Sequence, residues 1–561
     1  MKYKPLPIGI ENFEDMIKNG YYYVDKTLFI KEIIDKKGKI NLFTRPRRFG
    51  KSLNLSMVQH YFDITLKGKS HIFNGLDIMS AGEDYTSEMN KYPVIHISLK
   101  GAGSSNFETS FRVMKDGLLY ELDRHRYLLD SDKISEKDKQ TFNHLYDLLN
   151  EKCDSGDFIG YLKYLSTCLE RHFGEKVIVL IDEYDVPLEK AYFYNYYDEM
   201  VDFIRAFFHE GLKPNNSLHV AVVTGCLRVS KESIFTGFNN PNIVTILTSQ
   251  YGEYFGFTEE EVCAAFKYYC LEDKINIAHD WYNGYIFGDV NVYNPWSIIK
   301  FLYDLLGNKD WFPRAYWANT SSNDIIQELV EQSDTLAKSE MEALIRGEAI
   351  TKPINEEIVY NDVKKDMDSL WNFLFFTGYL RKERTEQIGS KIYLTMKIPN
   401  IEVKSVYENK IYEWFNDKIK AIDKNPIYEA IVGSDAQSFE NELCSLLGMT
   451  ISYFDSHESF YHGFVLGILA QMKEYAVKSN RETGTGRCDV YMIPHDYRKK
   501  AAIVMELKVA DSINDLEPKC RNALEQIENK GYTHELRDLG YGAFIKYGIA
   551  FFRKGCMVMV G

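Results

Sequence analysis

The chain has 561 residues, of which 45% are hydrophobic, 26% charged and 14% aromatic, too many for one core and enough for two to four domains. Its net charge of −14 excludes a uniformly basic coat for nucleic acid, though not a local basic groove, because phosphate contacts depend on where Lys and Arg sit. Nine cysteines, an odd number without CxxC spacing, argue against a zinc site or a disulfide framework and fit a reducing compartment.

The segment Met1 to Ile10 is polar and lacks the apolar stretch of a signal peptide. The longest apolar-rich run, Leu370 to Leu380, is broken by Asn372, Thr377 and Gly378 and is too short for a bilayer. A cytoplasmic protein without a membrane partner is expected.

In chain order, residues 39–44 read as a strand, then a loop, then a helix from about Lys51 to Phe62 on which Leu53, Met57, Val58 and Tyr61 recur at helical spacing. The loop is Arg45-Pro46-Arg47-Arg48-Phe49-Gly50, followed by Lys51-Ser52. Gly-Lys-Ser at a strand-to-helix junction is the pattern of a phosphate loop. Backbone N–H groups curl round phosphates at a helix N-terminus, the lysine reaches the β- and γ-phosphates, and the serine holds Mg2+. Arg47, Arg48, Phe49, Gly50, Lys51 and Ser52 are therefore candidate ATP-binding residues, with Ser52 also a metal ligand. Arg45 stands where the usual GxxxxGK[ST] pattern has its first glycine.

A second strand is expected at Pro93 to Leu99, then charge-rich helical sequence over 105–172. The apolar run Lys176 to Ile181 follows, as in a strand buried on both faces. It delivers Asp182 and Glu183 to its C-terminal tip, where parallel sheets present ligands. Asp182 reads as a Mg2+ ligand through water, and Glu183 as the base that polarises the attacking water. Another strand, Leu218 to Thr224, ends in Thr224, a candidate sensor of the γ-phosphate. Arg228 follows, either as a phosphate contact or as the partner of a nearby acid. With a shorter strand at Ile243 to Leu247, these alternating strands and helices imply a parallel sheet and an α/β unit over 1–290.

Residues 291–430 read as a mainly helical, aromatic-rich connecting or lid region with a hairpin over Tyr379 to Ile398. The last unit, 431–561, opens with helices. Strands are expected at Asp489 to Ile493 and Ala502 to Leu507, a helix around Asp515 to Lys530, and strands over Gly542 to Phe552.

This last unit carries Glu458, Gly486-Arg487-Cys488-Asp489, Glu506-Leu507-Lys508, and Gln526 with Tyr532. Asp489 opens one strand and Glu506 ends the next, so a hairpin turning at Pro494 to Lys500 brings them to one end of a sheet. Glu506 and Lys508 are two apart and share a face. Phosphodiester hydrolysis uses this set: two carboxylates hold Mg2+, with Mn2+ as an alternative ion, and a lysine orients the water. Glu458 on the preceding helix is placed to complete the metal shell, and Gln526 to position Lys508 or the nucleic-acid backbone. A charged pair ending the apolar run AAIVMEL needs a reason to be there. Arg498, Lys499 and Lys500 read as a solvated turn rather than as a phosphate patch, the alternative for three adjacent cations.

At these residues the chain resembles a bacterial and archaeal family of AAA-ATPase-like proteins fused to a PD-(D/E)XK nuclease domain. The resemblance runs nearly end to end. It is carried by Tyr23 to Thr27, Arg45 to Ser52, Ile181 to Asp185, Thr224 to Arg228, Ser233 to Gly237, Phe255 to Thr258, Trp281 to Tyr285, Tyr293 to Trp296 and Tyr316 to Thr320. It continues in Gly486 to Asp489, Glu506 to Lys508 and Gln526 to Tyr532. It implies a P-loop ATPase that binds and hydrolyses ATP, a restriction-endonuclease-like α/β domain, and a phosphate loop that normally lacks the first glycine. It also implies a setting in defence against foreign DNA or in processing DNA of mobile elements.

The expected activity is metal-dependent cleavage of nucleic acid, DNA rather than RNA, gated by ATP, with self-association left open. The alternative is a signalling or scaffold ATPase whose C-terminal domain binds nucleic acid without cutting it.

Overall fold

The computed structural model describes residues 3–150, 154–228, 241–317, 326, 335–357, 360, 366–410, 423–448, 458–469, 472, 474–483, 486–496, 500–538 and 540–561. Two compact units form: Met1–Ile325 with Ala349–Val406, and Ile326–Glu348 with Tyr407–Gly561. The stretch read as a connecting region is thus shared between them.

The first unit is built on β1 (Ile40–Thr44), β2 (Val94–Ser98), β3 (Val177–Asp182), β4 (Leu218–Gly225) and β5 (Asn242–Val244). They make one five-stranded sheet in the order β2-β3-β4-β1-β5, every neighbouring pair parallel. All of β1 and β3 is buried, which is why both read as unbroken apolar runs. Parallel pairing puts the tips of β1, β4 and β3 at one edge, where Thr44 lies beside Gly225 and Ile181 beside Val223. β5 is shorter than expected. The chain turns at Thr245, whose carbonyl accepts from Thr248 N at 3.1 Å and whose hydroxyl accepts from Leu247 N at 3.2 Å.

Beyond this sheet lie a two-stranded hairpin, β6 (Tyr285–Phe287) and β7 (Val290–Val292), and an antiparallel sheet of β8 (Ile350–Pro353), β9 (Arg381–Ile388) and β10 (Lys391–Lys397), in the order β8-β10-β9. The β9–β10 hairpin is the one expected; β8 is an addition to a region that is otherwise mainly helical. The apolar run at Leu370 is a helix, Met367–Phe376, buried from Leu370 to Phe376. Among the described residues no helix is long and apolar enough to cross a membrane.

The second unit contains β11 (Tyr475–Thr483), β12 (Gly486–Pro494), β13 (Ala502–Val509), β14 (Phe544–Phe552) and β15 (Gly555–Val560) in that spatial order. β13 and β14 are parallel and the other neighbours antiparallel. The helix Leu516–Asn529 makes the crossover that a parallel pair requires. The helices Asn425–Val432, Ala436–Gly448 and Glu458–Leu469 supply Ile431, Phe439, Leu443 and Val465 to a core shared with Met505, Leu507, Ile549 and Val558. The fold class is the expected one: a parallel sheet with helices, a mainly helical middle, and a C-terminal mixed-sheet domain.

Candidate functional sites

β1 runs into a loop and the helix Lys51–Phe62. Arg48 and Gly50 take left-handed φ of 69° and 82°, so the loop curls before the helix begins; Gly50 does so without a Cβ penalty. The ammonium of Lys51, 3% exposed, donates to Arg45 O and Pro46 O, both at 3.0 Å, and lies 3.6 Å from Cys226 Sγ. Burial opposes its charge, but Cys226, Glu183, Asp185 and Asp182 outweigh it and raise its pKa. Burial also pushes the Cys226 thiol up to about 12.

Three side chains meet at the sheet edge. Ser52 Oγ donates to Asp182 Oδ2 at 2.6 Å, and Thr224 Oγ1 donates to Asp182 Oδ1 at 2.6 Å. Glu183 follows in a left-handed conformation at φ 51°, a strain of the kind that functional sites retain. Its N–H donates to Thr224 Oγ1 at 3.4 Å. Next comes Asp185, whose Oδ2 accepts from Cys226 N at 2.8 Å and Leu227 N at 2.9 Å. Burial raises its carboxyl to about 6.

A cavity of about 360 Å³ opens beside the loop. Its lining includes Arg47 to Ser52, Glu183, Lys26, Lys100 and Lys190, together with the apolar or aromatic Ile10, Met16, Tyr22, Val24, Phe257 and Trp296. A pocket lined by cations, a helix N-terminus and apolar surface has the chemistry of a nucleotide site. Asp182, Thr224 and Arg228 are not among its lining residues. Arg228 pairs with Glu357 at 3.3 Å, the second of its two sequence-level alternatives. Phe49 is fully buried between Tyr285 and Phe287, with ring centroids 4.9 and 5.1 Å away, so its side chain belongs to the core. Arg47 pairs with Glu189, and the Arg48 guanidinium lies 5.0 Å over the Trp296 ring.

In the second unit the β12–β13 pairing runs from Met492–Ile503 to Val490–Met505. One residue further on each strand come Asp489 and Glu506. Beyond that point the Leu507 N–H is satisfied by Asp489 Oδ2 at 2.8 Å. Glu506 is 2% exposed. Its Oε1 accepts from Lys508 Nζ at 3.0 Å and from Gln526 Nε2, while Gln526 also donates to Tyr532 Oη at 3.2 Å. Among the described residues its Oε2, which is buried, has no hydrogen-bond partner. Burial and then the charge of Asp489 lift the Glu506 carboxyl to about 7, against the Lys508 charge. The sequence-level set Asp489, Glu506, Lys508 and Gln526 is therefore brought together.

Residues 7–235 match a family described as predicted AAA-ATPase, and residues 456–560 match the PD-(D/E)XK nuclease superfamily. The chain joins an AAA-ATPase-like domain to a PD-(D/E)XK nuclease superfamily domain. It is also similar, at 26% identity, to a protein of Azotobacter chroococcum mcd 1 titled "Uncharacterized protein in vnfD 5'region". That match extends over 552 residues, 96% of this chain and 95% of the relative.

In the nuclease-superfamily domain the residues fit a divalent cation. Burial, with the charge of Asp489 added to it, holds a proton on Glu506 near neutrality, and its Oε2 lacks a donor among the described residues; a cation would meet both needs. Glu458 opens the helix Glu458–Leu469, but its side chain lies outside the described residues, as do Ser233 to Gly237, Ala318 to Thr320, Arg498 and Lys499. Among the described residues no group of three or more His, Cys, Asp or Glu converges for a metal. In the ATPase-like domain Ser52 and Asp182 fit Mg2+ on other grounds: a serine hydroxyl and a carboxylate, both oxygen ligands, already meet beside the candidate phosphate loop.

Sequence reasoning missed three participants. His462 Nε2 lies 2.9 Å from Asp489 O; its position four residues after Glu458, on the same helix face, was the available signal. Trp317 Nε1 donates to Arg47 O at 3.3 Å, bracing the phosphate loop. Glu402, fully buried, holds Trp317 in turn: Oε1 accepts its N–H at 2.8 Å, and both carboxylate oxygens accept from Ser297 Oγ at 3.0 and 2.8 Å. Trp317 lies in the stretch Tyr316 to Thr320 that carries the resemblance, but nothing local assigns it or Glu402 this role, because their partners are remote in the chain.

Proposed function

We propose that the ATPase-like domain binds and hydrolyses ATP with Mg2+, and that the nuclease-superfamily domain hydrolyses phosphodiester bonds of nucleic acid, DNA rather than RNA, with Mg2+ or Mn2+. The carrying observation is Glu506 Oε2, a buried carboxylate oxygen without a donor among the described residues, beside Asp489 and Lys508 where the β12–β13 pairing stops.

Asp489 and Glu506 would hold the cation. Bound there, it neutralises the scissile phosphate and lowers the pKa of a water. Lys508 orients that water and offsets charge developing on the phosphate. Gln526, anchored on Tyr532, fixes the Glu506 rotamer. In the other domain, Lys51 would exchange its loop carbonyls for phosphate oxygens, Ser52 and Asp182 would hold Mg2+, and Glu183 would polarise the attacking water. Thr224, bonded to Asp182 and to the Glu183 N–H, would report the γ-phosphate to both. Gating of cleavage by ATP belongs to this reading because both sites share one chain.

The test is a cleavage assay with Mg2+ or Mn2+ on supercoiled DNA, single-stranded DNA and RNA, with and without ATP. Asp489→Asn should abolish cleavage and leave ATP turnover; Lys51→Ala should abolish turnover. Cleavage that persists in Asp489→Asn removes the assignment. Turnover without cleavage of any substrate leaves an ATPase that binds nucleic acid. Cleavage indifferent to ATP and to Lys51→Ala removes the gating.

A further inference from the structure

The second compact unit contains a pair of thiols that the proposed chemistry does not use. Cys444 lies on the helix Ala436–Gly448 and Cys556 on β15, 112 residues apart in the chain. Their Sγ atoms are 3.3 Å apart. The Cys556 N–H donates to Cys444 Sγ at 3.3 Å, Cys444 Sγ reaches Cys556 O at 3.7 Å, and Cys556 Sγ reaches Glu440 O at 3.8 Å. Both cysteines are free.

The surroundings assign the two different roles. Cys444 is partly exposed, whereas Cys556 is 6% exposed. Cys444 receives the N–H and lies against the Cys556 thiol, and this hydrogen bonding draws its pKa down to about 7. The hydrogen bond with Cys444, and then burial, raise Cys556 far above the usual thiol range. One sulfur is thus the reachable thiolate and the other the shielded thiol that resolves it. A third thiol, Cys520, lies near but on the other face of β15. Cys556 and Val558 pack into the core with Phe439 and Leu443, while Cys520 packs with Met557 and Met559, as strand alternation requires.

We propose that Cys444 and Cys556 are a redox modification site, closed by peroxide into an intramolecular disulfide that ties the helix Ala436–Gly448 to β15. The Cys444 thiolate attacks one peroxide oxygen, the O–O bond breaks, and hydroxide leaves with Cys444 as the sulfenic acid. The Cys556 sulfur then attacks the Cys444 sulfur, the S–O bond breaks, and water leaves with the Cys556 proton. Two thiols and one hydrogen peroxide become one disulfide and two waters. In a reducing compartment the bond would be transient, reopened by thiol exchange. Closing so long a loop restricts the unfolded chain and stabilises the domain.

The test treats the full-length protein with hydrogen peroxide, blocks remaining thiols, and maps peptides by mass spectrometry. The expected result is a Cys444–Cys556 cross-linked peptide that dithiothreitol removes, an upward shift in melting temperature on oxidation, and Cys520 still reduced. Cys444→Ser and Cys556→Ser should each abolish the link, and Cys520→Ser should leave it. If either serine variant fails to fold, the wild-type peptide map alone decides. Sulfinic acid at Cys444 with a free Cys556 thiol, both thiols still open to alkylation, or a link between two chains would each overturn the proposal.

Discussion

Asp489 and Glu506 sit side by side where the pairing of β12 and β13 stops, and their mutual repulsion, added to burial, keeps the Glu506 carboxyl at about 7 rather than its ordinary 4.5. An acid whose folded pKa is raised gives stability below its unfolded pKa and loses it as pH rises through the folded value. A cation displaces that proton. Affinity for Mn2+ should therefore rise with pH up to about 7 and level off above it. Calorimetric titration below, at and above that pH reads the trend. Glu506→Gln should remove both binding and slope; a pH-independent affinity in the wild type would contradict the pairing.

Asp489 has a second task, accepting the Leu507 N–H at 2.8 Å. Asparagine keeps an oxygen for that N–H and removes the charge; alanine removes both. Asp489→Asn should lose cleavage with stability within about 1 kcal/mol of wild type. Asp489→Ala should lose a further 1–3 kcal/mol or so, the usual range for stranding a buried donor. Urea melts of the two variants make the comparison. Equal destabilisation would mean that the hydrogen bond contributes nothing.

Much of both sites was legible because the residue types follow sheet geometry. Apolar runs such as β3 and β13 announce buried strands, and parallel connection then carries Asp182 and Thr224 to strand ends; the hairpin brings Asp489 and Glu506 together as expected, but within β12 and β13, because both strands run on past the point where their pairing stops. What escaped the sequence was decided by distant partners or by edges. β11 begins with a polar-rich Tyr475–Thr483 and β15 is a short strand; each lies at an edge of its sheet, where the apolar signal is weak. The Trp317 contact to the phosphate loop spans 270 positions, so no local pattern could show it.

Arg45, standing where phosphate loops usually have glycine, invites the substitution Arg45→Gly. The structure argues against any gain. The side chain is fully buried, donates to Thr44 O at 2.9 Å and Val244 O at 3.0 Å, and lies 5.2 and 5.0 Å over the rings of Phe255 and Phe287. Its Nε and Nη2 lack partners among the described residues and burial lowers its pKa to about 9, so part of the loss is relieved by removing a desolvated charge. Packing and the two hydrogen bonds still dominate. Arg45→Gly should destabilise the ATPase-like domain by about 2–4 kcal/mol, a range typical of large-to-small core substitutions, and should not tighten nucleotide binding. Thermal melts with a fluorescent ATP analogue titrated in parallel decide both points.

Glu402 offers a separate pH signature, away from both proposed reactions. Burial raises its carboxyl to about 7 in spite of donors from Trp317 N, Ser297 Oγ and Tyr316 N. Below its unfolded pKa of about 4.5 both states are protonated. As pH climbs to about 7 the folded state keeps a proton that the unfolded state has released, and stability falls across that window; above it, the wild type must bury a charge. Glutamine removes this penalty. Its carbonyl can accept the Trp317 N–H, and its amide can donate to Ser297 Oγ, since the hydroxyl rotates to accept. Glu402→Gln should therefore match the wild type in acid and gain on the order of 2–3 kcal/mol above neutrality. The measurement is the difference in melting temperature between variant and wild type at acidic and alkaline pH. A difference that does not grow with pH would mean that Glu402 is charged at no cost to the fold, and that the Trp317 brace rests on a stable carboxylate.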